Sequence, residues 1–433
     1  MSESFYSADV KLKPFWWEQA PRPAADPAPL PKAVDVAVIG SGYTGLSAAL
    51  TLARGGRSVA VLEAREVGYG ASSRNGGGWG LFIKQSLGSL IDKMGTDKAV
   101  ALYRESMNSW DYLANLVESE GIQCHLRKVG RLSAAHMPAH YEGMARELEL
   151  QKKHLGVDGY MVPKAEQHRV IGTDHYSGGK ITNHGGHLHP ALYHQGLLER
   201  VLQAGAAVFG STPVTGLMPD DTGFTVVTNR GSIQARDVVV ATNGYTAPVT
   251  NWLRRRVIPV QSQIIATESV APEVINEIVP DARMCGDSCN LKHYYRPSPD
   301  GTRLLFGGRA GGNDIDDPRR SGRHLYARMT ALFPQLKNVQ ISHTWAGFLA
   351  YTFDYLPHIG VRQGVHYAMG YCGSGVPLST YFGYKLGARI LGRAEAETPF
   401  FNLPFTTRPL YTGSPWFLPP IILFFGWRDS LRL

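Results

Sequence analysis

The chain has 433 residues, 43% of them hydrophobic, and a formal net charge of +8. That length and apolar share exclude a disordered chain and a small disulfide scaffold, and they leave room for two interleaved domains. The basic residues are scattered and lack an aromatic-laced patch, so no nucleic-acid partner is expected; four cysteines, Cys124, Cys285, Cys289 and Cys372, and a start without a leader pattern point to the cytoplasm.

Residues 1–33 read as an N-terminal arm, with Trp16-Trp17 ahead of a proline-rich stretch. The first regular element is a buried strand over 34–39, apolar at Val36, Val38 and Ile39. It runs into Gly40-Ser41-Gly42-Tyr43-Thr44-Gly45. Leu46, Ala49, Leu50 and Ala53 then recur on one helical face, and Gly55-Gly56 ends the helix. A second strand over 58–62 ends on Glu63 and Ala64. In this arrangement the first glycine makes a tight turn, the second admits a pyrophosphate and the third packs the helix on the strand. The helix N-terminus supplies N–H groups to the phosphates. Glu63, eighteen positions past Gly45, is placed to hold a ribose hydroxyl. The unit predicts a dinucleotide site.

A second glycine-rich segment follows at once, with Gly70, Ala71, Ser72, Arg74, Asn75, Gly76 and Gly77 ahead of Trp79. Small residues around a few polar ones suit backbone packed against a large flat ligand. At these motifs the chain resembles the D-amino-acid-oxidase-like superfamily of FAD-dependent amine oxidoreductases. Within it, the look is nearest to the bacterial gamma-glutamylputrescine oxidase family, from Asp35 to about Leu391. The resemblance implies an α/β fold in which a Rossmann-type FAD-binding domain (34–80, 180–246 and 340–392) is interleaved with an antiparallel-sheet α+β substrate domain. That second domain would take 81–179, 247–339 and, with the tail, 393–433.

Further along, 190–204 reads as a helix, 223–233 as a hairpin and 237–241 as a buried strand ending in Ala241-Thr242-Asn243-Gly244. The resemblance places Ala241 and Thr242 by the pyrophosphate and Val214 by the adenine. Gly185-Gly186-His187-Leu188-His189-Pro190 pairs two histidines without a third ligand, and Cys285-x-x-x-Cys289 has no zinc spacing, so no metal is expected. In 294–297 and 303–308, which read as a strand pair, alternation sends either Tyr294 or Tyr295 toward the flavin. Tyr351 and Tyr371 frame the other side, and Trp79 is a further lining candidate. Aromatic walls desolvate an ammonium and attract a cation. Gly373, Ser374, Gly375 and Val376 begin a helix that the resemblance aims at the flavin pyrimidine edge.

Three positions depart from sarcosine-oxidase relatives. Gly347 stands where they carry the flavin-linking cysteine, so the FAD is expected to be non-covalent. Their carboxylate-binding lysine falls at Pro377, which favours an amine lacking a carboxylate next to the reactive carbon. Their oxygen-activating lysine falls near Leu305, which leaves dioxygen or a quinone as acceptor. The expected activity is oxidation of an amine to an imine that water hydrolyses to an aldehyde. A D-amino-acid or proline/pipecolate-type dehydrogenase and a non-catalytic FAD-binding protein are the alternatives. The apolar tail 416–427 is too short to span a bilayer and suits packing, an oligomer contact or peripheral membrane contact.

Overall fold

The computed structural model describes residues 5–23, 28–309, 317–401 and 403–431. Its first sheet is parallel at the centre, where Ala207–Phe209, Val59–Leu62, Ala33–Ile39, Gly231–Val240 and Val365–Met369 lie side by side. Val36, Val38, Val59, Val61 and Val239 pack one face against the helices Tyr43–Arg54, Pro190–Gln203 and Gly375–Ile390. Ala37, Ile39, Ala60, Leu62, Val238 and Val240 pack the other face against Phe224, Leu253 and Phe405. Burial on both faces explains why these strands read as unbroken apolar runs. Gly231–Val240 is forked: residues 231–235 pair with the hairpin strand Gly223–Thr228, and residues 238–240 pair with 365–367.

The second sheet has nine strands and is mostly antiparallel. In order they are Tyr6–Lys11, Ile341–Tyr351, Ile258–Thr267, Leu304–Gly308, His293–Pro297, Met284–Asp287, Arg131–Ala134, Gly179–Thr182 and Gly159–Val162. One face is sealed by the helix Arg319–Leu332, whose Leu325, Met329 and Leu332 sit on Ile265, Tyr295, Leu304 and Phe306. The opposite face turns toward the first sheet and carries Ile264, Leu305 and Trp345.

The boundaries differ from expectation at three points. Ile341–Tyr351 pairs along its length with Ile258–Thr267, from Ile258↔Tyr351 to Thr267↔Ile341, so it belongs to the second sheet. Gly179–Thr182 joins the same sheet, between Arg131–Ala134 and Gly159–Val162. The segment read as a separate N-terminal arm is built into the fold: Tyr6–Lys11 is an edge strand beside Ile341–Tyr351, and Trp16 is fully buried.

Candidate active site

The strand Ala33–Ile39 turns at Gly40, where φ is +105°, into the helix Tyr43–Arg54. A Cβ at Gly45 would fall 1.9 Å from the Gly40 carbonyl oxygen, so only glycine lets the helix seat on this turn. The Tyr43 N–H donates to Ser72 Oγ at 2.9 Å, while the Tyr43 side chain leaves the turn and donates to Pro190 O at 2.9 Å. A second helix, Gly375–Ile390, meets the first so closely that a Cβ at Gly383 would stand 2.3 Å from Thr44 O. Both N-termini therefore open on one cleft, and at their junction Thr44 Oγ1 and Tyr371 OH share a hydrogen bond of 2.7 Å.

Most of the sequence-predicted cofactor residues line this cleft. Gly40, Gly42, Tyr43, Thr44, Glu63, Ala64 and Val214 do so on one side. Gly70, Ala71, Ser72, Asn75, Ala241, Thr242, Gly373, Gly375 and Val376 complete it. Glu63 is held by its neighbours: Oε2 accepts from Ser41 N at 3.0 Å and Ser41 Oγ at 2.7 Å, and Oε1 accepts from Arg65 N at 3.2 Å. A fixed carboxylate at one end and two helix N-termini further along suit a ribose and a pyrophosphate. Such a cleft fits a flavin dinucleotide.

Other candidates lie behind the lining. Arg74 donates from Nε to Tyr69 O at 2.8 Å and from Nη1 to Ala346 O at 2.7 Å, with its guanidinium over the Tyr69 ring at 4.3 Å. It clamps the glycine-rich segment to the second sheet instead of reaching into the cleft. Gly347 is covered by that same arginine, because a Cβ there would lie 2.7 Å from Arg74 Cδ. Gly77 packs on Leu188 O, a Cβ at Gly76 would stand 3.1 Å from the Tyr294 ring, and Ser374 Oγ donates to Phe82 O at 2.7 Å.

Alternation resolves the tyrosine pair. Tyr294 faces the glycine-rich segment and shares a 2.9 Å hydrogen bond with Ser262 Oγ; burial pushes its phenol up to about 12. Tyr295 points to the opposite face, fully buried between Phe306 and Phe333, and is no part of the site. Tyr351 OH comes to 3.9 Å from a Cβ built at Gly373, which keeps it at the cleft. Tyr371 lines the cleft and stands over the nucleotide turn, not over a substrate wall. Trp79 is buried in the helical core, and among the described residues its Nε1 has no hydrogen-bond partner. The two histidines serve separate ends: His187 Nε2 donates to Ala282 O at 2.8 Å, and His189 Nδ1 accepts from Leu192 N at 3.1 Å as a helix cap.

Sequence reading missed Ser41, Tyr69 and Tyr245. Ser41 is fully buried and also accepts from Gly68 N at 3.0 Å; a small polar residue between Gly40 and Gly42 was its only signal. Tyr69 and Tyr245 line the cleft, and Tyr245 OH accepts from Phe348 N at 3.1 Å. Nothing local marks these two, because their neighbours come from distant segments.

Comparison with known proteins agrees with this geometry. The family model described as FAD dependent oxidoreductase (DAO) matches residues 35–389. A probable oxidoreductase OrdL of Haemophilus influenzae is 33% identical over 85% of each chain. Gamma-glutamylputrescine oxidoreductase of Escherichia coli is 31% identical over 86% of each. Among solved structures, glycine oxidase from Geobacillus kaustophilus superposes with a TM-score of 0.73 at 23% identity, covering 88% of this chain and 99% of that one. The chain belongs to the DAO family of FAD dependent oxidoreductases and is an FAD-dependent enzyme.

Proposed function

We propose that this enzyme oxidises a small-molecule amine at the carbon bearing nitrogen, in the manner of the gamma-glutamylputrescine oxidoreductase it resembles. The observation that carries the reading is a pair of rings: Tyr294 faces the glycine-rich segment with its hydroxyl committed to Ser262, and Tyr351 stands by the Gly373 loop. These residues shape and desolvate the site, which favours the neutral amine whose lone pair drives the reaction. Bound FAD supplies the two-electron acceptor. The substrate loses a hydride from carbon and a proton from nitrogen; water then hydrolyses the imine to a carbonyl compound and an amine.

Dioxygen is the proposed terminal acceptor, leaving hydrogen peroxide. The runner-up is a quinone, favoured by Leu305, an apolar residue on the Tyr294 face of the sheet where sarcosine-type relatives place an oxygen-activating lysine. FAD is proposed to be held without a covalent bond. Cys372 is the cysteine of the cleft lining, and burial pushes its thiol up to about 11, away from the nucleophilic thiolate. A reducing compartment, the cytoplasm, fits four buried and unpaired cysteines. The test is anaerobic bleaching of the flavin band by a panel of amines and amino acids, followed by admission of air. Bleaching by an amine and fast recovery in air support the reading. A flavin that only alpha-amino acids reduce, or that recovers only with a quinone, replaces it with the dehydrogenase.

A further inference from the structure

We propose that Lys84, Lys292 and Arg309 form an anion-binding subsite on the substrate side of the flavin site, and that the amine oxidised there carries a carboxylate. The substrate clause rests on the amine reading above; the subsite does not.

Three segments bring the cations together. In the antiparallel pair of His293–Pro297 and Leu304–Gly308, His293 stands opposite Gly308. Lys292 and Arg309 are therefore the next residues out, facing each other across the two strands. Side chains alternate along a strand, so both share the face of Tyr294, the one turned to the glycine-rich segment, and not that of the core residue Tyr295. The Arg309 guanidinium lies over the Tyr351 ring at 4.8 Å, and Tyr351 reaches the loop that starts the helix Gly375–Ile390. Lys84 arrives from the third segment. The bond from Ser374 Oγ to Phe82 O straps that segment to the same loop, so Lys84 feels Lys292, Arg309 and Cys372.

Among the described residues, no carboxylate balances this group. The acid that Lys292 feels is Asp287, whose Oδ1 accepts from Cys289 N at 3.2 Å and His293 N at 3.0 Å and whose Oδ2 pairs with His293 Nδ1 at 2.9 Å. Among the described residues, Lys84 and Lys292 make no hydrogen bond or ion pair. Burial first, then Lys292 and Arg309, bring the Lys84 ammonium down to about 7. Lys292 is exposed, yet the protein packed around it and then Arg131 and Arg309, with Asp287 opposing, hold it below the usual lysine range. Solvating surface lysines would stand apart in open water. These converge beside aromatic walls, where an unpaired cation is unfavourable and an entering anion relieves it. The position also differs from Pro377, so an anion is held here by other residues than the one where sequence reading looked for a cation.

The experiment uses the FAD-loaded enzyme and glutarate, a dicarboxylate with no amine to oxidise, titrated by calorimetry. Saturable binding is expected, weakened at least about tenfold by Lys292→Gln and by Arg309→Gln. Arg309→Lys should restore part of the loss, and exposed Lys98→Gln should bind as the parent does. FAD content and melting temperature establish that each variant is folded. Absence of saturable binding, or folded variants that bind glutarate as tightly as the parent, overturns the subsite. A second arm compares butylamine with 4-aminobutanoate in anaerobic flavin reduction. The carboxylated amine should win, with its advantage lost in Lys292→Gln; a preference for butylamine overturns the substrate clause. If glutarate binds as expected but no amine bleaches the flavin, the amine reading falls and the subsite stands.

Discussion

Each oxygen of the Glu63 carboxylate has its own partners. Oε2 is held twice by Ser41, and Oε1 takes only the Arg65 N–H at 3.2 Å before facing the cleft. Glu63→Ala should weaken FAD binding by about 1–3 kcal/mol through loss of a charge-assisted bond. Flavin release followed by fluorescence checks it, and unchanged affinity would mean that the acid points elsewhere. Glu63 was legible because strand, turn, helix and strand place it by spacing alone. Ser41 was not, since its hydroxyl acts through a residue twenty-two positions away. Lys84 yields a pH prediction. Its ammonium sits near 7, low for lysine, so the positive charge is present below that pH and is lost as pH rises through it. Lys292 and Arg309 face it, and the buried Cys372 thiol stays neutral with a pKa near 11. Glutarate should therefore bind more tightly at pH 6 than at pH 8.5, and Lys84→Met should flatten that slope. An equal slope in the variant would assign the titration to another group.

At the scale of elements, the site depends on how closely two helices approach. The helices Tyr43–Arg54 and Gly375–Ile390 touch where Gly383 leaves no room for a side chain under Thr44 O. Gly383→Val should force them apart, cost about 1–3 kcal/mol of stability and loosen FAD, because both N-termini move relative to the cleft. Thermal melts with and without added FAD measure both effects. A variant with parental melting temperature and flavin content would show that the contact yields easily. Each helix could be read from apolar periodicity, but their meeting could not, for it pairs residues more than three hundred positions apart. The same limit applies to the strands. Alternation showed that Tyr294 and Tyr295 face opposite ways, yet choosing the flavin side required the helix Arg319–Leu332 to be seen covering the other. Arg74 and Gly347 were legible as neighbours of the site, but their contact with each other sets both behind the cleft lining.

Across the whole molecule, the C-terminal segment ties back to the substrate side. Among the described residues no helix is long and apolar enough to cross a membrane. The terminal helix Leu418–Leu431 instead reaches the loop just before Lys292. Asp429 accepts from Asn290 N at 2.9 Å, Asn290 Nδ2 at 2.8 Å and Leu291 N at 2.8 Å, while its own carbonyl meets His136 Nε2 at 3.1 Å. Phe417 and Leu418, at the root of the helix, pack on the cluster that contains Tyr351 and Cys372. One segment thus steadies two walls of the proposed anion subsite without entering it. Asp429→Ala removes an acceptor of three hydrogen bonds and should cost about 1–3 kcal/mol of stability. It should also weaken glutarate binding while leaving FAD content near parental, because Lys292 loses its anchored neighbour and neither Asn290, Leu291 nor His136 lines the nucleotide cleft. Melting temperature, flavin content and calorimetry on the same preparation separate these effects. Parental glutarate affinity alongside a lowered melting temperature would confine Asp429 to packing, and Lys292 would then owe its position to the strand pair alone.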